Sequence, residues 1–194
     1  MSRKAQRVRY HLDASMIRGL PLADIRIILR GADDLIATGG RSLLTKILRG
    51  SRAKDVVSRQ LDRSPVYGVY RALSEEDVLA RIDWTILNGY LQVIYEYRLP
   101  VLVYTPAGWD IERETCAEEL VRGFDKLLAA GQRPYDMSYL KDTNREVIWR
   151  VLDMVAGSGE PKYVPVLEDW ERTDFRKVRQ RIRQVIQSLV GSRA

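Results

Sequence analysis

The sequence predicts a mainly α protein with one small β-hairpin, an α+β arrangement, and three observations carry that expectation. Apolar residues recur every three or four positions from Leu22 to Leu61 and again from Val78 to Leu87. The period shortens to two over YLQVIYEY (90–97) and VLVY (101–104), two β-rich runs a few residues apart. From about Glu112 the helical period returns and persists almost to the end.

Residues 1–15 show no apolar period and are expected to form a mobile basic arm. Pro21 suits the start of a helix whose apolar face holds Leu22, Ile25, Leu29, Ala32 and Ile36, and Gly39-Gly40 stops it. A short helix follows with Leu43, Leu44, Ile47 and Leu48 on one side, ended by Gly50. Ser51 is a good N-cap for a third helix through about Gln60, with Val56, Val57 and Leu61 as its apolar contacts. Ser64-Pro65 opens a turn, and residues 66–70 read as a short extended piece. Ser74 caps the next helix, with Asp77 completing a short capping box and Glu75 and Glu76 suiting the positive end of the helix dipole. Its core stripe is Val78, Leu79, Ile82, Ile86 and Leu87, and Asn88-Gly89 ends it. The hairpin then carries Tyr97-Arg98-Leu99 near its tip. Helix, helix, short strand, helix, hairpin is the order of a winged helix. Beyond it, helices are expected at 118–128, 143–156, 161–171 and 175–190. The division that results is an arm and helix (1–38), a winged helix (39–113) and a C-terminal helical segment (114–194).

Charge is segregated. The net charge of +6 is carried by three basic blocks, residues 1–30, 41–63 and 174–194, around an acidic middle. Such blocks suit a polyanionic partner. One cysteine, Cys116, and one histidine, His11, exclude an internal disulfide and leave no multi-cysteine metal cage. No metal or other cofactor is expected. No apolar run reaches the ~20 residues of a membrane span, and a cytoplasmic, nucleoid-associated protein is the expectation. Catalysis finds no support: Glu118 and Glu119 are adjacent and do not face each other on a helix, and Cys116 has no histidine near it in sequence. The four tryptophans read as packing residues.

In most winged helices the helix before the hairpin enters the major groove. Here that helix holds Glu75, Glu76, Asp77 and Asp83 against Arg81, which suits a phosphate-lined groove poorly. The basic surface lies instead on RSLLTKILRGSRAK (41–54), where Arg41, Lys46, Arg49, Arg52 and Lys54 accompany the Ser51 hydroxyl and the amides of a helix start.

Four segments in order and spacing resemble one known family. They are GRSLLTKILRGS, SPVYGVY, the acidic helix leading into NGYL, and RLPVLVYTPAGW. Over residues 39–113 the chain is similar to the RQC domain of RecQ helicases, and it resembles the small bacterial members that stand alone. These 194 residues contain no GxxxxGK[ST] phosphate loop and no cysteine-rich zinc module. The resemblance implies that the LRGS turn and the helix after it grip duplex phosphates, which assigns Arg49 and Ser51 by position. It implies too that the hairpin wing wedges against a duplex end, with an aromatic residue on the terminal base pair. Tyr97 with Arg98 fits that role, with Tyr95 as a further wing aromatic. Lys54 is followed by Asp55, a departure from the family's more regular basic helix.

The function this implies is recognition of double-stranded or structured DNA (ends, forks, junctions or G-quadruplexes) in repair, recombination or replication, without enzymatic activity. Two rival classes are a dimeric winged-helix regulator and a protein-interaction module. The second would use the C-terminal helices, which weakly resemble a HEAT-type pair and end in a helix made basic by Arg176, Lys177, Arg179, Arg181 and Arg183.

Overall fold

Apolar spacing places most helices close to where the sequence predicts them, and their buried faces converge on two separate cores. The structure, a computed structural model, describes residues 9–191. Residues 1–8 of the expected arm and 192–194 of the C-terminal basic block lie outside the described residues. Contacts divide the chain into two units, the first ending at Glu112 and the second beginning at Arg113.

The first unit is a winged helix with an additional N-terminal helix. It contains α1 (Leu22–Ala32), α2 (Arg41–Arg49), the single-turn α3 (Lys54–Val57), α4 (Glu75–Leu87), and the antiparallel strands β1 (Leu91–Glu96) and β2 (Leu99–Tyr104). Its core unites Ile25, Ile28 and Leu29 of α1 with Leu44, Ile47 and Leu48 of α2, Val78 and Ile82 of α4, and Leu91 and Leu102 of the hairpin. Three side chains expected to make apolar contacts, Leu22, Val57 and Leu87, are exposed at the ends of their helices.

Three expectations are corrected. The helix from Pro21 ends at Ala32, and a 3-10 turn over Asp33–Leu35 follows. The chain then runs beside β2: the Ala37 amide donates to Leu102 O (2.8 Å), and the Leu102 amide donates to Gly39 O (2.8 Å). The wing's extra backbone pairing thus comes from residues 37–39. The piece 66–70, expected to be extended, is a series of turns packed on the end of α2. The helix after Gly50 is one turn long, because the backbone enters the left-handed region at Gln60 (φ 57°). Ser51 is not its N-cap; Ala53 holds that position without a side-chain cap.

A fourth expectation is corrected at the helix after the hairpin, which begins before the residue 118 read from the sequence. α5 (Pro106–Ala130) starts inside the TPAGW motif, and the boundary between the units falls within it. Thr105 caps it, its Oγ1 accepting the Gly108 amide at 3.1 Å, with Pro106 at the first helical position. Gly108 is required there by space: a Cβ would sit 1.9 Å from Tyr90 O.

The second unit holds the rest of α5, then α6 (Arg145–Ser158), α7 (Val164–Thr173) and α8 (Arg176–Gly191), with α6 and α7 both packed on α8. Trp170 is fully buried and meets Phe124 edge-on at 5.8 Å. The loop before α6 is held by Asp169, buried on α7. Arg133 donates to both of its carboxylate oxygens at 3.1 Å, and the Tyr135 amide donates to Oδ2 at 3.1 Å. The Arg133 guanidinium holds the Asp169 carboxyl below the usual carboxylate range. A carboxyl whose folded-state value is depressed adds stability above the unfolded value of about 3.9, and loses it as pH falls through the folded value. Asp169→Asn is therefore expected to lower the melting temperature by several degrees at pH 7. Thermal unfolding followed by circular dichroism should show the gap from wild type closing towards pH 3.

Candidate nucleic-acid interface

The turn after α2 is built by backbone geometry before any side chain acts. Gly50 is left-handed (φ 74°), and its missing Cβ would lie 3.0 Å from Gly68 Cα. The Gly50 amide donates to Ile47 O and the Ser51 amide to Lys46 O, both at 2.9 Å, closing the helix and directing the chain outward.

The cations named from the sequence fall into three groups. Arg41 is committed internally: it pairs with Asp83, which is 2 % exposed and also accepts the Asp13 amide at 2.8 Å. Lys46 is neutralised by Asp55 at 2.6 Å, and that hydrogen bond holds the Asp55 carboxyl below its usual range. Arg49 is tethered, its Nε donating to Leu73 O (3.2 Å) while Nη1 lies 3.6 Å from the Glu75 carboxylate. Arg52 and Lys54 are exposed and make no ion pair or side-chain hydrogen bond among the described residues. Ser51 Oγ accepts the Ala53 amide at 3.3 Å, which leaves its hydroxyl proton to donate.

The sequence argument also invoked the amides of a helix start after Gly50. A single turn supplies little dipole, so side chains must provide any phosphate contact here. Asp55, whose position beside Lys54 broke the basic pattern, is turned to Lys46. Two further cations stand nearby. Arg59 donates to Thr38 Oγ1 at 2.9 Å, and Arg63 is exposed beyond the left-handed Gln60. Both lie in the 41–63 basic block, but their placement depends on where α3 ends. A cleft of about 690 Å³ runs along this side, with Lys46 and Arg59 beside Val93, Leu99 and Leu102.

The wing is a two-residue hairpin. Glu96 pairs with Leu99, so Tyr97 and Arg98 form the turn itself. Tyr97 is left-handed (φ 54°) and 90 % exposed, a costly conformation for a bulky residue. Arg98 is exposed beside it. Tyr95 is placed differently: its half-buried ring packs 6.0 Å from Tyr10, whose own ring lies 5.4 Å from the Arg41 guanidinium. The described part of the arm thus contacts the wing at Tyr95, α2 at Arg41 and α4 at Asp83.

α4 presents Glu75, Glu76 and Asp77 to solvent around its capped start, where the Asp77 amide donates to Ser74 Oγ at 3.0 Å. Carboxylates on that face oppose insertion between phosphates.

Comparison with known families matches the RQC domain over residues 24–123, just over half of the chain. The chain belongs to the RQC family. No curated protein and no solved structure matches it. The matched span exceeds the 39–113 over which the motifs were read. It takes in nearly all of α1, which supplies Ile25, Ile28 and Leu29 to the core, and the first two-thirds of α5. Membership of the RQC family points to nucleic-acid binding. Among the described residues, no helix is long and apolar enough to cross a membrane.

Two substitutions check the geometry of this RQC domain. Gly50→Ala meets both a left-handed backbone and a backbone neighbour, and is expected to cost about 1–2 kcal/mol in urea unfolding. Tyr97→Gly relieves the hairpin turn and should keep the melting temperature within about 2 °C of wild type.

Proposed function

We propose that this RQC protein binds DNA by its structure more than by its sequence, taking duplex ends, forks, junctions or G-quadruplexes as partners in repair or recombination. The observation that carries the reading is the sorting of charge on the first unit. Among the described residues Arg52 and Lys54 are left without side-chain partners beside a tethered Arg49 and an available Ser51 hydroxyl, while the exposed start of α4 is acidic. The free cations and the hydroxyl suit phosphates, which carry no sequence information. An acidic α4 disfavours reading base edges in the major groove. Tyr97, exposed on a strained tip beside Arg98, suits stacking on a terminal base pair. The protein would act by binding, with no catalysis of its own.

The test is fluorescence anisotropy with blunt duplex, a duplex closed by loops, forked duplex, Holliday junction and G-quadruplex. With roughly four to six phosphate contacts, wild type should show a log–log salt slope of about −4 to −5. Arg52→Ala with Lys54→Ala should weaken every substrate and flatten that slope by about 2. Tyr97→Gly should weaken ends and forks about tenfold and leave the closed duplex unchanged. Strong preference for one base sequence, or no detectable binding, would overturn the reading.

A further inference from the structure

Outside the residues matched to the RQC family, the second unit carries its own concentration of positive charge. Over residues 176–183, α8 places Arg176, Lys177, Arg179, Arg181 and Arg183 among eight residues. These cations open the helix, where unpaired amides already make the end positive and carboxylates would be favoured. The first turn of α8 contains no acidic residue. Helix stability therefore does not account for the cluster.

Ion pairing accounts for only part of it. Arg181 donates to Asp153 at 2.8 Å, and Arg183 to Glu171 at 2.5 Å. Asp174, just before the helix, is buried and occupied: it accepts the Trp170 indole N–H (2.7 Å) and the Phe175 amide (2.6 Å), and lies 3.5 Å from Arg145. The side chains of Arg176, Lys177 and Arg179 make no hydrogen bond or ion pair among the described residues. Val178, Ile182, Val185 and Leu189 take the buried face of α8. Arg176, Arg179, Gln180 and Arg183, spaced three and four residues apart, line one groove of about 470 Å³ on another.

At the head of the stripe stands an exposed aromatic ring. Phe175 is 57 % exposed, with the Arg145 guanidinium 5.5 Å from its ring centroid. A cationic groove beside an open aromatic face is the combination that holds single strands: guanidinium forks take phosphates and the ring takes an unpaired base. Duplex has no unpaired base to offer the ring, and an acidic peptide would use the cations alone.

We infer that this face of the second unit binds single-stranded nucleic acid, with phosphates along Arg176 and Arg179 and a base stacked on Phe175. The inference deepens the proposed function, adding the unpaired strand of a fork or tailed duplex as a partner. It rests on different residues and is separable from it by experiment.

Full-length protein is titrated against fluorescein-labelled oligodeoxythymidylate and oligouridylate, with the closed duplex alongside. Arg176→Gln with Arg179→Gln should weaken oligonucleotide binding at least tenfold and flatten its salt slope by about 1.4, the share of two contacts on a single strand. Phe175→Leu should weaken it about tenfold with the slope unchanged, because an exposed apolar side chain replaces a stacking surface. Neither should alter closed-duplex binding. Arg52→Ala with Lys54→Ala should do the reverse, so failure of one surface is distinguishable from failure of the other. Circular dichroism and melting establish that each variant is folded, and the single variants Phe175→Leu and Arg179→Gln keep the test open if the double one is not. Equal affinity for both oligonucleotides indicates recognition of phosphate and base face, and a preference identifies the polymer. The inference is overturned if Phe175→Leu has no effect. It is also overturned if polyglutamate displaces the oligonucleotide at equal charge, which would make α8 a surface for an acidic protein.

Discussion

The last turn of α2 ends in carbonyls with no partner inside the helix, and the way they are satisfied organises the first unit. Ile47 O accepts the amides of both Gly50 and Gly68, Lys46 O accepts Ser51, and Leu48 O accepts Tyr70. These bonds need the chain to turn left-handed at Gly50 and the 66–70 turns to lie against it, with no Cβ between Gly50 and Gly68. Leaving such groups unpaired in a packed interior costs about 1–3 kcal/mol each. One constraint thereby sets the exit of Ser51 and Arg52, the path towards α4, and the place of Tyr70. The Tyr70 hydroxyl in turn donates to Asp24 on α1 at 2.8 Å, and burial, with this bond second, holds its pKa above the usual tyrosine range.

Charge on this scaffold divides between holding the fold and facing outward. Arg41 with Asp83 joins α2 to α4 beneath the arm, and a buried carboxylate of that kind is tolerated only when paired. Lys46 with Asp55 is an exposed pair, which contributes little to stability but removes two charges from the outer field. The residual positive surface of the turn is smaller than the sequence count implies, and it is concentrated at Arg52 and Lys54. The same division recurs on α8, where Asp153 and Glu171 take two arginines and three cations are left unmatched among the described residues.

Much of this was legible in the sequence, for local reasons. Ser74 and Asp77 cap α4 as their spacing requires, and Asn88-Gly89 ends it. The alternation of YLQVIYEY and VLVY produced the hairpin, and the RQC motifs named the family over the segments that carry the turn and the wing. The start of α5 carries a local signal too, since Thr105-Pro106 is a cap followed by a first-turn proline. The pairing of residues 37–39 with β2 carries no alternating pattern, because it is made by backbone groups alone.

What the sequence by itself determined is the set of elements that short-range chemistry specifies: helices by period and cap, the hairpin by alternation, the turn by Gly50, and the segregation of charge into blocks. Only the tertiary structure decided which charges remain available. Asp83 lies 42 positions from Arg41 and Glu75 lies 26 from Arg49, separations at which sequence spacing carries no information about contact. It also decided that Tyr95 packs on Tyr10 while Tyr97 stands in water. The two are two positions apart in sequence, but Tyr95 lies on β1 and Tyr97 in the turn, where a side chain has no sheet face to pack against.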